Sequence, residues 1–259
     1  SIDILDEAGN IVRRYSSEQG DFEACKISNM DPRMPFKIKY PSTDKGLNKW
    51  TWDLKSQGLH CLENITLFAG FDGPRVTPGK YSARVSMGKT VQAVSFDVKM
   101  DSRLSATDEE IQFWSDTLKE VSSLVNDSLE SLDKLRQAQR EIEALMVKYP
   151  QDADLQANGT AAIEKINAWD GKIIQVLHQT YEDEDAWETM LAGQLRYLMD
   201  VIDYTGAPVT GGALLRLDDL KAEWARRQAE MQLIKREHID VINQWAQKQG
   251  VPHVTSPGQ

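Results

Sequence analysis

Short runs of alternating apolar and polar residues fill the first hundred positions, and Gly, Pro, Asn and Asp separate the runs. The run 50–54 alternates two tryptophans and a leucine with polar residues. The run 81–87 alternates similarly up to a turn near Gly88, and the alternation resumes at Val94, Phe96 and Val98, which predicts a hairpin. Alternation puts every second side chain on the same side of a strand, and the separating residues favour turns. The pattern therefore predicts an immunoglobulin- or fibronectin-like antiparallel β-sandwich over residues 1–102.

The pattern becomes helical near residue 101. Thr107, followed three positions later by Glu110, is typical of a capping box at a helix N-terminus. Apolar residues then recur every three or four positions from Ile111 to Met146, until Pro150 ends the pattern. This spacing predicts a helix of about 40 residues whose apolar stripe is buried against other helices.

Three further amphipathic segments follow the long helix, at 163–177, 187–202 and 217–245. Two long and two shorter helices predict an antiparallel helical bundle over residues 103–250. Residues 251–259 are expected to form a C-terminal tail. The predicted fold class is thus a two-part chain, all-β and then all-α.

The composition is typical of a soluble globular protein, with 41% hydrophobic and 27% charged residues among 259. No apolar stretch approaches the roughly 20 residues needed to span a bilayer. The net charge of −10 divides into +2 over residues 1–104 and −12 over residues 105–259. Because phosphate groups would be repelled, this charge argues against nucleic acid and anionic membranes as partners.

No catalytic or metal-binding motif is found in the sequence. It contains neither the Gly-x-Ser-x-Gly motif of a serine nucleophile nor the Gly-x-x-x-x-Gly-Lys-Ser/Thr motif of a phosphate-binding loop. The four histidines lack the spacing of a zinc-protease motif or a di-iron carboxylate site. We therefore expect no catalytic residue, no metal and no cofactor, and we expect that the chain is not itself an enzyme.

The two cysteines, Cys25 and Cys61, are too few for a structural zinc site. Two interpretations are open. The cysteines form one disulfide in an oxidising compartment, or they are two buried thiols.

Trp50 and Trp52 also have two interpretations. On a strand their side chains would share a face about 6.5 to 7 Å apart, which suits stacking on sugar rings, with Asp53 as a polar neighbour. Alternatively they belong to the core, because Leu54 shares their face and is expected to point inward. The second interpretation is favoured, and Trp52 is the stronger candidate for the core.

Three short motifs in the first half carry a resemblance to a known family. They are I-x-D-x-x-G-x-x-V, G-x-N-x-x-x-W-D-L and G-P-x-V-x-P-G-x-Y. The matching residues are Ile4, Asp6, Gly9 and Val12; Gly46, Asn48, Trp52, Asp53 and Leu54; and Gly73, Pro74, Val76, Pro78, Gly79 and Tyr81. The chain resembles the β-sandwich and helical extension that follow the β-propeller in bacterial sortilin-like, Asp-box glycosyl-hydrolase-type proteins.

The resemblance implies an exported bacterial protein, periplasmic or at the cell surface, with a propeller upstream of this chain. The start, SIDILDEAGN, lacks the basic and apolar regions of a signal peptide, so the chain is expected to begin inside a longer protein. The sequence contains no Ser-x-Asp-x-Gly-x-x-Trp Asp-box. The resemblance therefore transfers no site of the propeller to this chain.

These observations predict a non-catalytic accessory region of a larger glycosyl-hydrolase-type protein. It is expected to pack on the upstream propeller and to mediate docking or self-association through the helical bundle. The alternative function is a glycan-binding module that uses the Trp50 and Trp52 strand to bind carbohydrate.

Overall fold

A computed structural model describes residues 1–18, 40–62, 65, 67, 70–178, 183 and 185–257 of the chain. Within these residues strands come first and the long helices follow, which agrees with the predicted order. The chain divides into two compact units, each built from two stretches of sequence. Unit 1 comprises Ser1–Ser122 and Arg196–Leu214, and unit 2 comprises Ser123–Leu195 and Leu215–Gln259. The predicted boundary after residue 102 lies inside unit 1.

The described strands form one antiparallel sheet in unit 1, in the order β2-β1-β3-β4. The strands are β1 (Ile2–Leu5), β2 (Ile11–Tyr15), β3 (Gly79–Met87) and β4 (Thr90–Val98). A two-residue turn joins β3 to β4, and Gly88 at its first position has a φ of 56°. Glycine adopts this positive φ at little cost, so the turn predicted at Gly88 can be as short as two residues.

The predicted β-sandwich is wrong, because the described residues contain a single sheet. Where a second sheet was expected, the segments 54–59 and 71–76 share only scattered backbone bonds, such as Ser56 N–H to the Pro74 carbonyl at 2.9 Å. Pro74 has no N–H to donate, so a continuous ladder cannot form there. The segments also touch too closely for a side chain at Gly73, where an added Cβ would lie 2.1 Å from the Gln57 carbonyl oxygen.

One face of the sheet is covered by the irregular segment that precedes Leu59. Ile4 and Tyr81 lie on this face and are buried, and Leu59 is buried beside the sheet at 2% exposure. The Trp52 ring packs against Tyr81 and Phe96, with ring centroids 5.6 and 6.0 Å away. An irregular segment thus provides the cover that a second sheet was expected to provide.

The opposite face carries a buried charge. Asp3 on β1 is only 2% exposed. It accepts hydrogen bonds from Arg14 on β2, at 2.6 and 3.1 Å, and from Arg84 on β3, at 2.8 Å. Asp3 therefore links the central strand to both of its neighbours.

In the part of the chain that the structure describes, five α-helices follow the sheet: α1 (Asp108–Lys148), α2 (Ala153–Ile173), α3 (Leu191–Thr205), α4 (Gly211–Ile234) and α5 (Asp240–Gln249). A π-helical turn, Lys235–Ile239, joins α4 to α5 in one continuous helix. The predicted capping box of α1 is confirmed, since Thr107 and Glu110 each donate a backbone N–H to the other's side chain, at 2.8 and 3.2 Å. None of the described helices combines the length and apolar character needed to cross a membrane.

The predicted apolar stripe of α1 is buried along most of the helix. Its members that are at most 3% exposed are Trp114, Leu118, Val121, Val125, Leu132, Leu135 and Ile142. Ser128 lies in the same stripe and is fully buried, and its hydroxyl donates to the Val125 carbonyl at 2.7 Å. A local bond of this kind lets a small polar residue occupy a core position.

The C-terminal tail is fixed to unit 2 by paired hydrogen bonds. The Asn243 side chain accepts from Val254 N–H at 2.7 Å and donates to the Val254 carbonyl at 3.1 Å. The Thr255 hydroxyl donates to the Glu141 carboxylate at 3.0 Å, and Val254 is buried. Burial acts to raise the pKa of Glu141, but the bonds from Thr255 and its other partners together hold that pKa below its ordinary value.

The π-turn has a simple cause in the spacing of apolar residues. Buried apolar positions in the last helix advance by three, four or seven residues, which suits an α-helix, except for a step of five from Ile234 to Ile239. In a regular α-helix a step of five residues would place Ile239 about 140° around the helix axis from Ile234, away from the core. A π-turn absorbs one extra residue, so Ile239 stays fully buried.

We predict that deletion of Glu237 leaves the protein folded and removes the π-turn. The deletion shortens the step of five to four, which an α-helix accommodates. The midpoint of thermal unfolding, followed by circular dichroism, should change by no more than about 2 °C.

The matched control is deletion of Ala229, an exposed residue of α4. This deletion rotates Met231 and Ile234 off the buried face, at a cost of about 4 kcal/mol, which should lower the midpoint by about 10 °C. Equal losses from the two deletions would mean that the π-turn does not serve to absorb a residue.

Candidate functional site

The segment that contains Trp50, Trp52 and Asp53 is not a strand, so the predicted strand over 50–54 is wrong. The backbone turns at Leu54, which has a φ of 60°, a value that few residues other than glycine adopt. Asp53 supports the turn, because its carboxylate accepts the Lys55 N–H at 3.1 Å. Leu54 is 44% exposed, so it does not share an inward face with the tryptophans.

The two indole rings pack against different parts of the sheet. The Trp50 ring lies edge-on to Tyr15, with centroids 5.0 Å apart, whereas the Trp52 ring contacts Tyr81 and Phe96. The Trp52 indole N–H donates to the Lys55 carbonyl at 2.8 Å, and both tryptophans are half-buried. The rings thus hold the irregular segment on the sheet, and glycan binding by them stays a prediction.

Cys61 is half-buried and disulfide-bonded. Cys25, the other cysteine of the sequence, lies outside the described residues. The Cys25–Cys61 pairing therefore stays a prediction.

Two shielded charges in the described part of unit 1, the buried Arg196 and the half-buried Asp203, have structural bonds. Arg196, which is 3% exposed, donates from Nε to the Gly70 carbonyl at 2.8 Å, and burial lowers the pKa of its guanidinium. Asp203 accepts from both the backbone N–H and the side chain of Arg75, at 3.2 and 3.0 Å. Among the described residues no three His, Cys, Asp or Glu side chains are grouped so that they could hold a metal ion.

Within the described residues of unit 1, the outer edge of β4 is a candidate binding site. Met87 and Thr90 flank the two-residue turn, so they exchange hydrogen bonds, and every second residue after Thr90 also bonds to β3. Val91, Ala93, Ser95 and Asp97 therefore direct their N–H and C=O groups outward. Among the described residues no hydrogen bond is made to these outward groups, and the strand is exposed along most of its length.

The apolar side chains around this edge are also exposed. Val94 is 64% exposed and Val91 58%, while Met87 at the end of β3 is 73% exposed. Asp97 is the one charged residue in the nine of β4. Natural edge strands usually avoid pairing through lysines, prolines, bulges or short length, and β4 has none of these.

The opposite edge of the sheet is covered. The Gln57 N–H donates to the Val12 carbonyl of β2 at 2.7 Å, and the Arg14 N–H of β2 donates to the Gln57 side chain at 3.4 Å. The side-chain guanidinium of Arg13 on β2 also donates to the Ser56 carbonyl at 2.7 Å. The residues before Leu59 therefore bond to β2 where another strand would otherwise add.

Sequence reasoning predicted the β3–β4 hairpin but not that β4 is an open edge. The signal was present in β4, where a run of nine residues carries one charge and no proline. Alternation identifies a strand, whereas the position of that strand in the sheet depends on pairing between distant segments. No pattern in the sequence indicated that Gln57 would bond to the outer edge of β2.

Comparison with known proteins found no match. No family model matches the chain, no curated protein matches it, and no solved structure matches it. The resemblance to sortilin-like and Asp-box proteins therefore stays a prediction.

We predict that the bonds of Asp3 stabilise unit 1 in a pH-dependent way. Hydrogen bonding to Arg14 contributes most to lowering the pKa of Asp3 from 3.8 to about 2. A lowered pKa in the folded state gives stability that is present above pH 4 and is lost as the pH falls towards 2. Because both arginines are partly exposed, we expect this stability to be about 1–2 kcal/mol.

Asp3→Asn should therefore lower the thermal midpoint at pH 7 by several degrees, on the order of 2–6 °C. The difference from the unmodified protein should shrink steadily between pH 4 and pH 2. Asp97→Asn, an exposed change in the same sheet, is the control and should have little effect on the midpoint. A difference for Asp3→Asn that does not vary with pH would contradict this assignment.

Proposed function

We propose that this chain is a non-catalytic interaction module that binds an extended partner strand at the outer edge of β4. The observation that carries the proposal is the difference between the two edges of the sheet. The β2 edge is bonded to Gln57, whereas four residues of β4 present outward backbone groups.

An added strand would bond to groups that are already in place. Val91, Ala93, Ser95 and Asp97 each present one donor and one acceptor along β4. β4 is itself held to β3 over nine residue pairs, so little conformational entropy is lost on binding. Strand addition of this kind takes its affinity from main-chain bonds and its specificity from the side chains on each face of the strand, here Val94 on one face and Val91 on the other.

The polar groups of unit 2 support a structural role for the helices. Arg136 and Asp170 form a two-bond ion pair at 2.6 and 3.0 Å. Trp169 donates its indole N–H to the Arg227 carbonyl at 2.8 Å, and Trp245 donates to Asp152 at 2.8 Å. Side chains that are engaged in such internal bonds stabilise the unit and are not free for chemistry.

On the strength of the resemblance, we also propose that this module belongs to a larger protein. In that setting the chain is an accessory region of an exported, periplasmic or surface-located glycosyl-hydrolase-type protein and packs beside its propeller. Catalysis, if the larger protein performs it, would belong to the propeller.

We predict that a fluorescein-labelled peptide with the sequence of residues 90–98 binds to the chain. The peptide can form the same antiparallel bonds that a partner strand would form, and a Kd on the order of 10–100 µM is expected for so small a contact. Fluorescence anisotropy measures the binding.

The control peptide carries Ala93→Pro and Ser95→Pro. It keeps the apolar side chains but lacks two N–H donors, so it should bind at least about tenfold more weakly. Equal binding of the two peptides, or no binding of either up to about 1 mM, would refute strand addition at β4.

A further inference from the structure

We infer that the strand added at β4 is β4 of a second copy of this chain, in antiparallel register about Val94. The inference rests on the proposed function, because it names the partner for the same edge. Its result would be a closed dimer with one continuous sheet of eight strands.

The covered β2 edge excludes the alternative way in which copies could join. A contact of β4 with β2 of the next copy would repeat without limit and give fibres. Gln57 already bonds to the Val12 carbonyl and the Arg14 N–H at the outer edge of β2, so this head-to-tail contact is blocked. Among the described strands, the one free edge that a second copy offers to β4 is its own β4, and pairing of these two edges gives a two-fold symmetric dimer that closes.

The symmetry also determines the register. Opposed residues in a sheet must project from the same face, so under a two-fold axis one residue must lie opposite its own copy. Val94 is the midpoint of Thr90–Val98, and pairing about Val94 uses all nine residues. Residues 91, 93, 95 and 97, which direct their backbone groups outward, then bond to one another across the axis.

The side chains fit this register. Val94 faces its own copy, Gln92 faces Phe96, and Ala93 faces Ser95. Asp97 faces Val91, so the one charge of β4 does not meet its own copy and no like charges are opposed. Val91 and Val94, both more than half exposed in the single chain, come to lie in the middle of a wider sheet.

The expected dimer is weak and reversible. One strand edge is smaller than the roughly 800 Å² per partner that stable complexes bury. We expect a dissociation constant on the order of 10–100 µM, so sedimentation velocity of the full chain should be measured from about 1 to 300 µM.

Val94→Cys tests the register directly. At a pair without mutual hydrogen bonds the two Cα atoms lie about 4.5 Å apart, which a disulfide can span. Gln92→Cys is the matched control, because its two copies would be about 13 Å apart along the strands. No described cysteine is free to interfere. Under mild oxidation, Val94→Cys should give at least about ten times more covalent dimer than Gln92→Cys.

A second pair of variants tests the same register through charge. The double variant Ala93→Lys with Ser95→Lys creates two lysine–lysine pairs across the two-fold axis. The double variant Ala93→Lys with Ser95→Asp creates two lysine–aspartate pairs at the same places. The first variant should dimerise at least about tenfold more weakly than the second, and the difference should narrow in 1 M salt. Circular dichroism establishes that both variants fold.

The outcomes separate this inference from the proposed function. A monomer up to about 300 µM, with no excess cross-linking of Val94→Cys, would overturn the dimer. If the chain is a monomer but the peptide still binds at β4, the proposed interaction module is retained and its partner strand belongs to another protein. A dimer that is equally strong in both charge variants would also overturn the inference, because it would use another surface.

Discussion

The outward backbone N–H and C=O groups of an edge strand need hydrogen-bond partners, and this requirement determines how unit 1 is arranged around its sheet. A strand has two rows of donors and acceptors, and only a strand between two others satisfies both rows within its sheet. The two edges of this sheet differ in what their outward backbone groups bond to. Residues before Leu59 fold back to bond to β2, while β4 keeps one row of groups directed to solvent. The position of the irregular segment and the availability of β4 are therefore two results of one constraint.

Side-chain packing decides where the covering segment lies. Trp52 contacts Tyr81 and Phe96, and Trp50 contacts Tyr15. The two rings therefore anchor the segment near β2 and the start of β3, and the exposed residues Val85 and Met87 lie at the far end of the hairpin. Val85 and Met87 share the face of Tyr81, so the covering segment leaves this end of that face exposed.

Sequence reasoning succeeded where one local period decides the structure. The capping box and stripe of α1 follow from residues within a few turns of each other, and the β3–β4 hairpin follows from alternation around Gly88. It failed at 50–54, because alternation of tryptophan with polar residues also suits an irregular segment that packs two rings on a sheet. The edge position of β4 depends on the pairing of β1 with β3, about 80 residues apart in the chain, and no local pattern encodes it.

The rigidity of the β4 edge depends on Asp3, which lies on β1, two strands away in the sheet. β1 has only four residues, yet it must hold β3 in place, and β3 in turn holds β4. Asp3 adds charge-assisted bonds from β1 to Arg14 and Arg84, and such bonds are about twice as strong as neutral ones. A template that is rigid before binding loses less entropy when a strand is added. The buried charge of Asp3 would therefore favour the proposed binding at β4 without touching the partner.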